Sequence, residues 1–247
     1  MQQIINNLSK NLKTFFKENN FKKAVVGVSG GVDSACTLKL AIKALGKENV
    51  TALLMPEIGI SQNIHLEDAR NLVKSEEIEY FEIPINKYLE QFKKMPWEHS
   101  DLANMNARAR TRMMILYHFA NSRNAIVLGT GNKTEILLGY GTKYGDFGVD
   151  VEVLGKLWKT EVFQLAKELE LPEQFYTKAP TAELHKGQSD EEEIGATYKV
   201  IDRILQNMES GKRQTDNTET VRNILERVEK NKHKTQVIPI VNPAGLG

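Results

Sequence analysis

Between residues 24 and 41 a β-branched apolar run, Ala24-Val25-Val26-Gly27-Val28, gives way to Ser29-Gly30-Gly31-Val32-Asp33-Ser34 and then to Ala35-Cys36-Thr37-Leu38-Lys39-Leu40-Ala41. That order predicts a buried strand, a glycine-bearing loop and a helix N-terminus. Free backbone N–H groups and the helix dipole there favour a phosphate. The glycines keep side chains off the main chain, and Ser29 and Ser34 add hydroxyl donors. Asp33 would repel a bound phosphate unless a divalent cation lay between them, which points to Mg²⁺. No lysine follows the glycines, so the loop is not the GxxxxGK[ST] motif. The alternative is a plain strand-to-helix turn with a Ser or Asp cap.

Strand-like runs recur at Val50 to Met55, Ile78 to Ile83 and Ala125 to Gly129, separated by helical patterns. The helices are read at Ile4 to Phe15, Asp33 to Leu45, Ser61 to Ser75, Asn104 to Ala120 and Lys159 to Glu170. Alternation of this kind implies an α/β fold, a Rossmann-like parallel sheet covered by helices on both faces. From Ser189 onward two further helices, Asp190 to Met208 and Thr218 to Lys230, make a mainly helical C-terminal part of one 1–247 domain. Ligands of such sheets bind beyond the carboxyl ends of the strands, where the Ser29 loop and the segment after Leu128 both fall.

A chain of 247 residues, 40% hydrophobic, can bury a sizeable core, and its net charge of +1 gives no field for nucleic acid. The single cysteine excludes an internal disulfide and a paired-cysteine zinc site. Cys36, beside the loop, reads as a small core residue rather than a nucleophile. With no apolar signal segment and no bilayer-length run, the expectation is a cytoplasmic protein without membrane contact.

After Leu128 comes Gly129-Thr130-Gly131-Asn132-Lys133-Thr134-Glu135. If Glu135 and Asp33 leave neighbouring strand ends, two hard oxygen ligands meet over one phosphate site, with Thr130 facing the nucleotide. The SGGxDS loop resembles that of the PP-loop ATP pyrophosphatases. Asn106-Ala107-Arg108-Ala109-Arg110-Thr111-Arg112, Gly129-Thr130 with Glu135, Lys143-Tyr144-Gly145-Asp146 with Asp150, Leu157-Trp158-Lys159, Pro180-Thr181-Ala182-Glu183-Leu184 and His233-Lys234 follow in order. Together they resemble the motif set of the ammonia-dependent NAD⁺ synthetases, over about residues 20 to 240.

The resemblance implies amidation of deamido-NAD⁺ with ammonia at the expense of ATP, through an adenylated intermediate, releasing AMP and pyrophosphate. By the family pattern Gly27, Val28, Ser29, Gly30, Gly31, Val32, Asp33 and Ser34 hold the ATP phosphates, with Thr130, Lys159 and Thr181 completing the ATP site. Asp33 and Glu135 are the Mg²⁺ ligands. Arg110, Lys143, Asp150, His233 and Lys234 contact deamido-NAD⁺, and the substrate's own carboxylate is the nucleophile. A homodimer with the dinucleotide site shared across its interface is also implied, and the apolar excess of the Asn104 to Ala120 helix makes it the interface candidate. Relatives often have glutamine where this chain has Val32, and an arginine near the end of the second strand where it has Leu53-Leu54-Met55. From residue types alone, the loop from Gly139 to Asp150 is either a flexible linker or a substrate-gated lid, and a non-catalytic ATP-binding domain is the rival reading of the whole.

Overall fold

Alternate residues of the central strands are apolar on both sides, and a strand that is buried on both faces needs helices above and below it. The computed structural model, which describes residues 1–61, 63–178 and 190–241, shows that arrangement. Five parallel strands, β1 (Lys23–Gly27), β2 (Val50–Leu54), β3 (Glu79–Glu82), β4 (Ala125–Gly129) and β5 (Val151–Glu152), form one sheet in the order β3-β2-β1-β4-β5. On one face Ala24, Val26, Ala52, Leu54, Ile126 and Leu128 pack with α1 (Gln2–Glu18), α2 (Val32–Leu45) and α7 (Lys159–Glu168). On the other, Val25, Leu53 and Val127 meet Ile115, Leu116 and Ala120 of α5 (Asp101–Arg123).

The remaining helices are α3 (Asn63–Ser75), α4 (Asn86–Leu89), α6 (Lys133–Leu138), α8 (Gln174–Thr177), α9 (Asp190–Ile194), α10 (Tyr198–Ser210) and α11 (Thr218–Asn231). A separate apolar cluster joins Leu138 and Trp158 to Tyr198, Ile201, Ile204 and Leu205 of α10 and to Val221 and Ile224 of α11. The C-terminal helices therefore seat directly on α6 and on the start of α7. From β1 the chain winds outward through β2 to β3, then returns to β4 on the other side. Loops leaving β1 and β4 diverge and open a crevice between them.

Several boundaries differ from the sequence reading. α5 is longer than Asn104 to Ala120, because the Ser100 side chain accepts from the Ala103 N–H at 3.2 Å and Asn124 ends the helix with φ 52°. The helix read from Asp190 to Met208 is two, broken after Ile194 where Gly195 takes φ +84°. The 139–150 stretch is a chain of hydrogen-bonded turns. Asp146 Oδ2 accepts from the Thr142 N–H at 2.7 Å, and the Thr142 hydroxyl bonds Asn106 Oδ1 at 2.9 Å.

Candidate active site

The Ser29 loop is held by its own hydroxyls. Ser34 Oγ accepts from the Ser29 N–H at 3.2 Å and donates to the Gly31 carbonyl at 3.0 Å, while Ser29 Oγ accepts from the Gly31 N–H at 3.2 Å. Gly30 has φ +87°, and a Cβ there would stand 2.1 Å from the His65 carbonyl oxygen, so only glycine fits. No side chain caps α2, whose first turn opens on a cavity of about 750 Å³. Residues 27 to 34 line it, with Thr130, Glu135, Lys159 and Lys234.

Beside the loop, Asp33 and Glu135 converge on one ammonium. Lys159 Nζ lies 2.6 Å from Asp33 Oδ2 and 3.0 Å from Glu135 Oε1, and its side chain is only 3% exposed. Asn132 closes the group. It donates to Asp33 Oδ1 at 2.8 Å and forms a capping box with Glu135 at the start of α6. Burial pushes the Glu135 carboxyl well above the ordinary carboxylate range, with Lys159 opposing and Asp33 adding. Burial also works against the Lys159 charge, but Asp33 and then Glu135 outweigh it, so the ammonium is held above its ordinary value. Two hard oxygens aimed at a single cation suit a divalent metal. Among the described residues no group of three or more His, Cys, Asp or Glu converges, so any metal here would draw its other ligands from phosphate oxygens or water.

The other candidates divide between two places. Lys234 Nζ donates to the carbonyls of Gly139 at 2.8 Å and Gly141 at 3.1 Å, pinning that turn against the cavity, while His233 is exposed. Arg110, Lys143 and Asp150 stand apart, on the outer side of α5. Arg110 Nε donates to the Lys143 carbonyl at 3.2 Å, and Asp150 accepts from the Tyr117 hydroxyl at 3.0 Å and the Val127 N–H at 2.8 Å. Arg110 and Tyr117 line a second, largely apolar groove with Phe92, Met113 and Met114. Thr181 and the 180–184 motif lie outside the described residues.

Four residues near the cavity were not anticipated. Asn132 had a local signal, the Asn-x-x-Glu capping pattern. Arg112 and Arg108 fill the end of β2, where no strand arginine exists: Arg112 Nε donates to the Met55 carbonyl at 2.9 Å, and Arg108 Nε pairs with Glu57 at 2.5 Å. Glu152 lies flat behind Gly129 and Gly131, accepting from the Gly131 N–H at 2.9 Å, and burial pushes its carboxyl up to about 8. Cys36 is fully buried, and burial followed by the Asp33 charge raises its thiol, which fits a core residue.

A parallel sheet with an uncapped glycine loop after β1, an acidic pair and a buried lysine at the switch point defines an α/β nucleotide-binding protein built for charged phosphates. Residues 4–238 match the NAD synthase family model, and the chain belongs to that family. It is 46% identical over 222 residues to the NH(3)-dependent NAD(+) synthetase of Archaeoglobus fulgidus, covering 90% of this chain and 89% of the relative. It is 40% identical over 249 residues to that of Wolinella succinogenes, covering 98% and 96%. Among solved structures, an NMN synthetase from Francisella tularensis superposes with a TM-score of 0.90 at 34% identity, covering 98% of each chain. An NH3-dependent NAD synthetase from Campylobacter jejuni superposes with a TM-score of 0.85, also at 34% identity and 98% of each chain.

Proposed function

We propose that this chain makes NAD⁺ by ATP-dependent amidation of deamido-NAD⁺ with ammonia. The observation that carries the reading is the meeting of Asp33, Glu135 and Lys159 beside the glycine loop at the carboxyl ends of β1 and β4. In the first step the nicotinate carboxylate oxygen attacks the α-phosphorus of ATP and the bond to pyrophosphate breaks. In the second, ammonia adds to the activated carbonyl and AMP leaves with the carboxylate oxygen. Charge grows on phosphoryl and pyrophosphate oxygens in the first step, so fixed N–H donors and cations do the work that a protein nucleophile does elsewhere.

In this reading residues 27 to 34 cradle the phosphates, Thr130 and Thr181 fix the nucleotide, and Lys159 reaches the triphosphate as a point charge. Asp33 and Glu135 hold Mg²⁺, which would neutralise the developing charge. Arg110, Lys143, Asp150, His233 and Lys234 take deamido-NAD⁺. Their division between the cavity and the outer side of α5 supports a site completed by a second copy of the chain. The groove there is about 490 Å³ and edged by Met114, which is 55% exposed. Among the described residues no helix is long and apolar enough to cross a membrane.

The deciding assay supplies ATP, Mg²⁺, ammonium and deamido-NAD⁺ and looks for NAD⁺ with equimolar AMP. ADP in place of AMP would overturn the reaction, and ATP binding without turnover would favour a non-catalytic domain. The likeness to an NMN synthetase supports a second reading, in which nicotinate mononucleotide is the acceptor. Comparing kcat/KM for the two acceptors separates them.

A further inference from the structure

Asp202 has no part in the chemistry above, yet its carboxylate is 2% exposed and all its hydrogen bonds among the described residues run to the two helices that carry Glu135 and Lys159. Oδ1 accepts from the Thr134 hydroxyl at 2.5 Å. Oδ2 accepts from the Thr160 N–H at 2.9 Å and from the Thr160 hydroxyl at 2.7 Å. Thr134 Oγ1 in turn accepts from the Lys159 N–H at 2.9 Å. Thr134 directly precedes Glu135 in α6, and Thr160 directly follows Lys159 in α7.

The N-terminus of α7 needs this help. Trp158, its N-cap, offers no side-chain acceptor, so the first N–H groups of the helix are satisfied from outside, by Thr134 and Asp202. We infer that Asp202 is a positioning residue for nucleotide binding. From α10 it clamps α6 to α7 at the spacing that brings the Glu135 carboxylate and the Lys159 ammonium to one point beside Asp33. The inference rests on the proposed roles of Lys159 and Glu135, and it makes the C-terminal helices part of the ATP site.

A variant that only lowers the folded fraction loses Vmax and keeps its KM, so KM separates positioning from bulk stability. Asp202→Asn keeps the shape but turns an amide NH₂ towards donors, leaving one of them without an acceptor. Its KM for ATP and its half-saturating Mg²⁺ concentration should each rise about tenfold, with KM for deamido-NAD⁺ within about twofold of the parent. Thr160→Val and Thr134→Val are milder variants that remain informative if Asp202→Asn does not fold. Each should raise KM for ATP about threefold, again without moving KM for deamido-NAD⁺. An unchanged KM for ATP in the folded variants, or equal rises in both substrate KM values, overturns the inference. Lys159→Met, run alongside, separates the two readings. If it leaves KM for ATP unchanged, the site assignment and this inference fall together; if it raises KM for ATP while the Asp202 and threonine variants do not, the inference alone falls.

Discussion

Asp33 and Glu135 share one lysine, whose ammonium opposes the burial that lifts the Glu135 carboxyl. Replacing either by alanine removes an oxygen of the proposed Mg²⁺ site but leaves Lys159 paired with the other. Asp33→Ala and Glu135→Ala are therefore expected to lower kcat by about a hundredfold or more with little change in thermal midpoint. Parent-like rates at limiting Mg²⁺ would sink the metal assignment. Glu152 gives a prediction of another kind. Burial lifts its carboxyl from an ordinary 4.5 to about 8, so in that window the folded chain holds a proton that the unfolded chain has lost. Its contribution to stability is fully present below the ordinary carboxylate range and is lost as pH rises to about 8. Glu152→Gln should flatten that decline, measured as the difference in urea midpoint between about pH 5 and about pH 8.5. Equal slopes in parent and variant would contradict it.

At the scale of elements, β1, the Ser29 loop and α2 carry the geometry, and Gly30 is its tightest point. Gly30→Ala would push a methyl group into the His65 carbonyl and force a positive φ on an L side chain, so a loss of about 1–3 kcal/mol is expected, together with weaker ATP binding. Calorimetry with ATP and thermal unfolding would check both. This unit was legible because its information is local: β-branched residues, two glycines and a helical apolar pattern lie side by side in the chain. β2, β3, β4 and the core helices were legible for the same reason. β5 was not, because Val151 and Glu152 are too few to show a period and owe their strand to pairing with Leu128 and Gly129. Nor was the Asp202 clamp, whose partners lie 42 and 68 residues away with no pattern linking them. The pairing of Asp33 with Glu135 was foreseeable only on the condition that β1 and β4 were neighbours, which a single sequence does not state and the sheet order supplies.

For the whole molecule, the outer side of α5 carries Arg110 and Tyr117 on an apolar groove, with Lys143 and Asp150, the other proposed dinucleotide contacts there, hydrogen-bonded to them. If a second copy covers it, Met114→Glu should shift the sedimentation profile from dimer to monomer and raise KM for deamido-NAD⁺ more than KM for ATP. A monomeric parent chain would sink the shared site. The positive end of Lys159 has a consequence for assembly of the enzyme as well. With that side chain seated between the acidic pair, their mutual repulsion is already offset in part, and folding has no need to wait for a metal. Chelation should therefore stop turnover while leaving the melting curve where it was. In the proposed reading Asp33 and Glu135 would hold Mg²⁺ in the place Lys159 now fills, and the Lys159 ammonium would be free to turn to the triphosphate.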